Sequence, residues 1–267
     1  MLRLFSQDVD SHRILWLTNT LFYVYTRCND ISEAIKTIES NKKTQAAVLK
    51  SANPAVLTGG LDLNELYNPD EERLRQFWHS YQQVFIDLYG SRLAFVSAIE
   101  GHAPGAGCML AMACDHRVMA ASEGKRFGTI GLNEAQFGLV APPWMGQLLL
   151  RTVGFRAGEE ALSMGTLFSP EEALEVGLVD KVVRRDVVLD TSYEVAGKFA
   201  KIPSQARYAS KMLARKEYVD HLLDNREWDV NHFCNVVLDE NVQKGLGAYL
   251  AKLRSSTPSS KETNAAA

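Results

Sequence analysis

The 267-residue chain has no long hydrophobic run, and no stretch approaches the roughly 18 apolar residues that cross a bilayer as a helix. It has no excess of one charge either. Its 29 lysines and arginines are scattered among 32 acids, for a net charge of −3, which speaks against a nucleic-acid partner. Cysteine is scarce: Cys28, Cys108, Cys114 and Cys234 show no metal-ligand spacing and read as buried free thiols of a reducing compartment. The histidines form no His-x-x-x-His pair, so the helical zinc motif is missing and no metal is expected. There is no Gly-x-Ser-x-Gly turn to carry an α/β-hydrolase nucleophile. GHAPGAG is not followed by Lys-Ser/Thr, which excludes a Walker phosphate loop. A dinucleotide fold is poorly supported, because Gly-x-Gly-x-x-Gly and its acid about 20 residues on are both missing. The leading MLRLFSQDVDSH, with a single arginine and two aspartates, makes a poor transit peptide. The closing STPSSKETNAAA reads as a disordered tail without a Ser-Lys-Leu ending.

What the sequence does have is alternation of short apolar runs with helical periodicity. Strands are expected over 12–19, 46–52, 93–101 and 116–122, and an amphipathic helix over 30–40. A long helix is expected over 68–90, with Asn68 as N-cap and Pro69 at its first position. This rhythm argues for an α/β layer fold with mainly parallel strands. The second half reads as helical. Gly154 divides two segments between Pro142 and Gly165, Ser169 caps another, and 203–254 is helical with interruptions at Gly245 and Gly247. No linker, repeat or charge block separates independent domains.

Three places carry chemistry. LTGGLDLNEL (57–66) and HAPGAGC (102–108) are glycine turns that follow strands, where bare backbone approaches a ligand and N–H groups stay free for an anion. Two such turns from separate loops are the elements of an oxyanion hole. In FGTIGLNEAQFGLVAPP (127–143), Glu134 stands among Ile130, Leu132, Ala135 and Phe137, company that raises a carboxylate's basicity. A surface cap or ion pair is the competing reading of Glu134. Asp115, beside His116, reads as structural.

In order along the chain, GGLDL, GHAPGAGCMLAMACDHRVMA, GLNEAQFGLVAP and GFRAGEEALSMGTLFSPEEALEVGLVDKVV resemble the crotonase (enoyl-CoA hydratase/isomerase) superfamily over roughly residues 12 to 254. IGLNEAQFGLVAPPW looks most like its mitochondrial Δ3,Δ2-enoyl-CoA isomerase branch. The resemblance implies a spiral of ββα turns over 1–200, a helical region over 201–255 that builds trimers or paired trimers, and a tail over 256–267. It implies an acyl-CoA substrate, no separate cofactor and, by analogy with the branch, the mitochondrial matrix. It also implies that the thioester oxygen rests on the backbone N–H groups of Leu61 and Ala106, with Gly59, Gly60, Asp62, Leu63 and Asn133 lining the substrate. Ser51 and Asn53 would lie toward the adenine end. Hydratases of the superfamily use two glutamates. One matches Glu134 and the other falls on Met109, whose thioether takes no proton from water. That pattern implies an isomerase with Glu134 as its single base. Another crotonase reaction, hydratase or dienoyl isomerase, and a non-catalytic acyl-CoA-binding subunit are the alternatives. One departure is WLTNTLFYVYTR (16–27), which lacks the Asn- and Pro-rich run common in relatives.

Overall fold

The computed structural model describes residues 12–17, 25–124 and 128–256. Most of the departing segment (18–24) and the tail from 257 lie outside the described residues. Strand β1 (His12–Leu17) leads to helix α1 (Tyr25–Ser40) and strand β2 (Ala46–Ser51). Then follow α2 (Glu71–Tyr89), β3 (Ala94–Ile99), the two-residue β4 (Ala103–Pro104), α3 (Ala106–Ala113) and β5 (His116–Ala120). The equally short β6 (Ile130–Gly131) precedes α4 (Pro143–Val153), α5 (Phe155–Met164), α6 (Pro170–Glu175) and β7 (Lys181–Val183). Four more helices close the described chain: α7 (Val188–Ala200), α8 (Ser204–Asp224), α9 (Arg226–Val237) and α10 (Glu240–Ser256). None of the described helices is long and apolar enough to cross a membrane.

The larger sheet runs β1-β2-β3-β5-β7, with every pairing parallel. Strands β2 and β3 are buried at every residue, so their sequences AAVLKS and AFVSAI show little polar alternation. That is the mark of a parallel sheet covered on both faces. On one face Ala46, Val48, Val96 and Val118 pack against Val188, Val195 and Ala196 of α7. On the other, Leu49 and Phe95 join the core built by α1, α2 and α3.

Beside this sheet lies a second, smaller layer. After β2 the chain touches it at Val56, which bridges His102. After β3 it enters again as β4, which pairs with β6, and Ile130 of β6 bridges Phe168. Each turn of chain therefore gives one strand to the large sheet, one short piece to the small layer, and then a helix. These are the ββα turns of the expected spiral.

The helices follow their apolar spacing, with corrections to the sequence reading: α1 starts at Tyr25 and not at 30, and the run over 203–254 breaks at Asn225 and at Leu238 and Asp239. The long helix begins at Glu71 and is capped by Asp70, whose carboxylate accepts the Arg73 N–H at 2.9 Å. Asn68 is not the cap. It adopts a left-handed φ of 46° and donates its N–H to Gln243 Oε1 at 2.8 Å. Nor do Gly245 and Gly247 interrupt the last helix; both lie inside α10. By contrast Ser169 caps α6 as expected, in a reciprocal box with Glu172.

Trp78, Phe77, Tyr81 and Phe85 on α2 fill the centre, where a buried carboxylate stitches helices together. Asp229 Oδ2 accepts from the Trp78 indole and the Gln82 amide at 2.7 Å each, and from the Trp144 indole at 3.2 Å. Asp115 is structural, as its sequence context suggests. It accepts the Phe95 N–H at 2.8 Å and pairs with Lys211 and Arg215, which fastens α8 to the ends of the central strands β3 and β5. The four cysteines are free and buried, and burial pushes the Cys28 and Cys114 thiols up to about 12.

Candidate active site

The small layer brings the two glycine turns together. The second residue after β3 must be glycine, because a Cβ on Gly101 would lie 2.1 Å from the Ala55 carbonyl oxygen. With no side chain there, His102 N–H donates to Ala55 O (3.0 Å) and Leu57 N–H donates to His102 O (2.7 Å). This lacing sets the turn at 58–61 beside the one at 104–106. A Cβ on Gly60 would stand only 3.7 Å from Pro104 O.

Strand β6 then delivers the carboxylate. Gly105 N–H donates to Gly131 O at 2.8 Å, and Ala103 N–H to Thr129 O at 2.7 Å. That pairing places Asn133 and Glu134, at the start of a 3₁₀ turn over Glu134–Phe137, against the second glycine turn. Gly105 has φ +52°, and a Cβ there would come 3.4 Å from Glu134 Oε1. A side chain at 105 would touch the carboxylate at ordinary contact distance, but the positive φ would strain the backbone. Ala106 is the first residue of α3, so its N–H has no carbonyl within its own helix to bond.

Glu134 is half-buried, and its Oε2 is fully enclosed without a hydrogen-bond partner. Burial disfavours the anion and pushes the carboxyl pKa up to about 7, against a small downward pull from its own backbone N–H. A carboxylate so placed holds and releases a proton near neutral pH.

A cavity of about 240 Å³ opens between these parts. Its wall brings together Gly59, Gly60, Leu61 and Leu63 from the first turn, Ala106 from the second, and Asn133 with Glu134. Three residues expected near the substrate stand outside this wall. Asp62 turns its carboxylate onto the Asn64 backbone and amide at 2.9 and 2.8 Å. Ser51 Oγ accepts the Asn53 N–H (3.1 Å) and Asn53 Oδ1 accepts the Ala55 N–H (3.0 Å), so both shape the loop that leads to the site. Met109 is fully buried in α3 and is not part of the lining. Glu134 is the only carboxylate among the described residues that line the cavity.

Sequence reasoning missed Leu66, Pro104, Gly105, Phe137, Leu139 and Tyr249, which complete the wall. Phe137 and Leu139 were within reach of a local reading, since they follow Glu134 in the same apolar stretch. Tyr249 comes from α10, and no local signal connects it to the site.

Comparison with known proteins agrees with this geometry. The enoyl-CoA hydratase/isomerase family pattern matches residues 19–257. The chain is 39% identical over 221 residues to the Rattus norvegicus protein named enoyl-CoA delta isomerase 1, mitochondrial, covering 83% of this chain and 75% of that one. It is 28% identical over 231 residues to the Escherichia coli 2,3-dehydroadipyl-CoA hydratase, covering 84% and 88% of the two chains. Among solved structures, human mitochondrial delta3-delta2-enoyl-CoA isomerase superposes with a TM-score of 0.91 at 32% identity, over 95% of this chain and 98% of that one. The stacked ββα turns, the paired glycine loops and the sequence match converge: the chain belongs to the enoyl-CoA hydratase/isomerase family, the crotonase superfamily.

Proposed function

We propose that this protein is a Δ3,Δ2-enoyl-CoA isomerase that serves the β-oxidation of unsaturated fatty acids. The observation that carries the reading is the single lining carboxylate, Glu134, with one buried, unpartnered oxygen beside the turn that leads into Ala106. The substrate's thioester oxygen accepts hydrogen bonds from the Leu61 and Ala106 N–H groups. Glu134 takes a proton from C2, and the electron pair left behind spreads over the thioester as a dienolate. The double bond settles between C2 and C3 as Glu134 returns the proton to C4. No water is added, and no electrons leave the substrate. Each backbone donor contributes roughly 2.7–4 kcal/mol toward the charge that develops on oxygen.

A hydratase needs a second proton-handling group to activate water. Met109 in the place of the superfamily's second glutamate, and the absence of another carboxylate among the described lining residues, support isomerisation over hydration. The base must be ionised, so kcat/KM rises with pH below about 7 and levels off above it. The test is conversion of 3-hexenoyl-CoA to the 2-enoyl product across this pH range, with crotonyl-CoA hydration as control. Hydration as fast as isomerisation, or a rate indifferent to pH between about 5 and 8, overturns the single-base scheme.

We also propose a homotrimer, or a pair of trimers, in the mitochondrial matrix. The rat relative's name supports the compartment. Exposed apolar side chains on the helices, Phe155 (69%), Leu213 (90%) and Trp228 (58%), support burial against other copies. A monomeric mass by sedimentation equilibrium overturns the assembly.

A further inference from the structure

The last helix reaches back to the site. Tyr249 on α10 is half-buried and lines the same cavity as Glu134, with its ring centroid 4.6 Å from that of Phe137. Three features hold α10 in that position. Gln243 donates to Leu66 O at 2.8 Å and Val237 O at 2.7 Å, and accepts the Asn68 N–H at 2.8 Å. Leu246 is fully buried. Gly247 lies flat against Tyr67, where a Cβ would stand 2.9 Å from a ring carbon. That glycine interrupts the helical pattern of the sequence, and its bare backbone lets the Tyr67 ring lie close against the helix.

The lining has two characters. Gly59, Gly60, Leu61 and Ala106 offer backbone, whereas Leu63, Leu66, Phe137, Leu139 and Tyr249 offer hydrocarbon and ring. A 3-enoyl chain has the same division, with a polar thioester at one end and only carbon beyond C4. We propose that Tyr249, backed by Phe137, is the stop against which the acyl chain ends, and so sets the chain length the enzyme accepts. The assignment rests on the acyl-CoA isomerase reading of the site. A second cavity of about 480 Å³ between α4 and α5 also borders Glu134 and Leu139, and it is the rival path for the chain. The aromatic wall is favoured because it belongs to the cavity that also holds both glycine turns.

The test uses the full chain and four variants: Tyr249→Ala, Tyr249→Leu, Tyr249→Phe and Gly146→Val, the last filling the rival cavity. The readouts are kcat/KM for 3-hexenoyl-CoA and 3-dodecenoyl-CoA, and calorimetric binding of the saturated hexanoyl- and dodecanoyl-CoA. Removing the ring is expected to raise the long-to-short ratio by about tenfold or more, since pockets discriminate by that factor per methylene. Tyr249→Phe keeps the wild-type ratio, because the ring and not the hydroxyl is the wall. Tyr249→Leu reads the same effect should the alanine variant fail to fold. An unchanged ratio in the folded Ala or Leu variant, or a shift produced by Gly146→Val instead, overturns the proposal. If the wild type turns over no 3-enoyl-CoA while the binding ratio still shifts, the isomerase reading fails and the role of Tyr249 stands. Normal turnover with no shift sinks the role of Tyr249 and leaves the isomerase reading intact.

Discussion

Replacing Glu134 by glutamine is expected to lower kcat/KM for a 3-enoyl-CoA by about 10²–10⁴-fold, the range a positioned general base contributes. Glutamine keeps the shape and polarity of the side chain, so substrate binding changes little and the loss falls on kcat. The same substitution has a second, opposite effect. Glu134 ionises at about 7 in the fold against 4.5 for an unperturbed group, so the folded chain holds its proton longer than the unfolded one. A raised carboxylate pKa means that stability falls as pH climbs from about 4.5 through 7. Glutamine is free of that cost. Its melting temperature is expected to exceed the wild type's near about pH 8 and to converge with it near about pH 4. Retention of more than a few per cent of the activity would place the base elsewhere. An equal gain in melting temperature at both pH values would show that ionisation is not the cause.

Ala106→Pro is expected to lower kcat by about 10²–10³-fold, the cost of one lost oxyanion donor. Proline suits this test because Ala106 opens α3. The first position of a helix accepts proline readily, since its N–H is unused by the helix and its φ is already near the ring's value. The variant therefore removes one donor while the helix stays. Ala106→Gly, which keeps the N–H, is expected to retain most of the activity and serves as the control. Equal losses in both variants would show that the side chain, and not the amide, matters at this position.

Much of this site was legible because its chemistry is local. Each glycine turn comes after a strand, and Glu134 sits in one apolar stretch, so local sequence marks all three. Their convergence was not legible. It depends on β4 and β6, two-residue strands too short to leave any period in the sequence. For the same reason periodicity yields α/β layers but not the spiral, which only the family resemblance supplied. The N-cap of α2 was misplaced because Asn68 and Asp70 both suit a cap by residue type. A contact across the chain, Asn68 N–H to Gln243, decides between them. Gly245 and Gly247 look like breaks in the sequence for a similar reason. Glycine in a helix usually signals an end, and the contact of Gly247 with the Tyr67 ring is one the sequence does not show.

The closing of the cavity by α10 has a consequence for synthesis. Both glycine turns and Glu134 leave the ribosome more than roughly a hundred residues before Tyr249 does. At about 5–20 residues per second, that gap is on the order of ten seconds. During it, a nascent chain carries Glu134 and both glycine turns with one wall of the cavity missing. A ribosome stalled in that interval would display a groove open at one end rather than a finished chamber. The enclosure of the cavity is therefore among the last features the growing chain acquires.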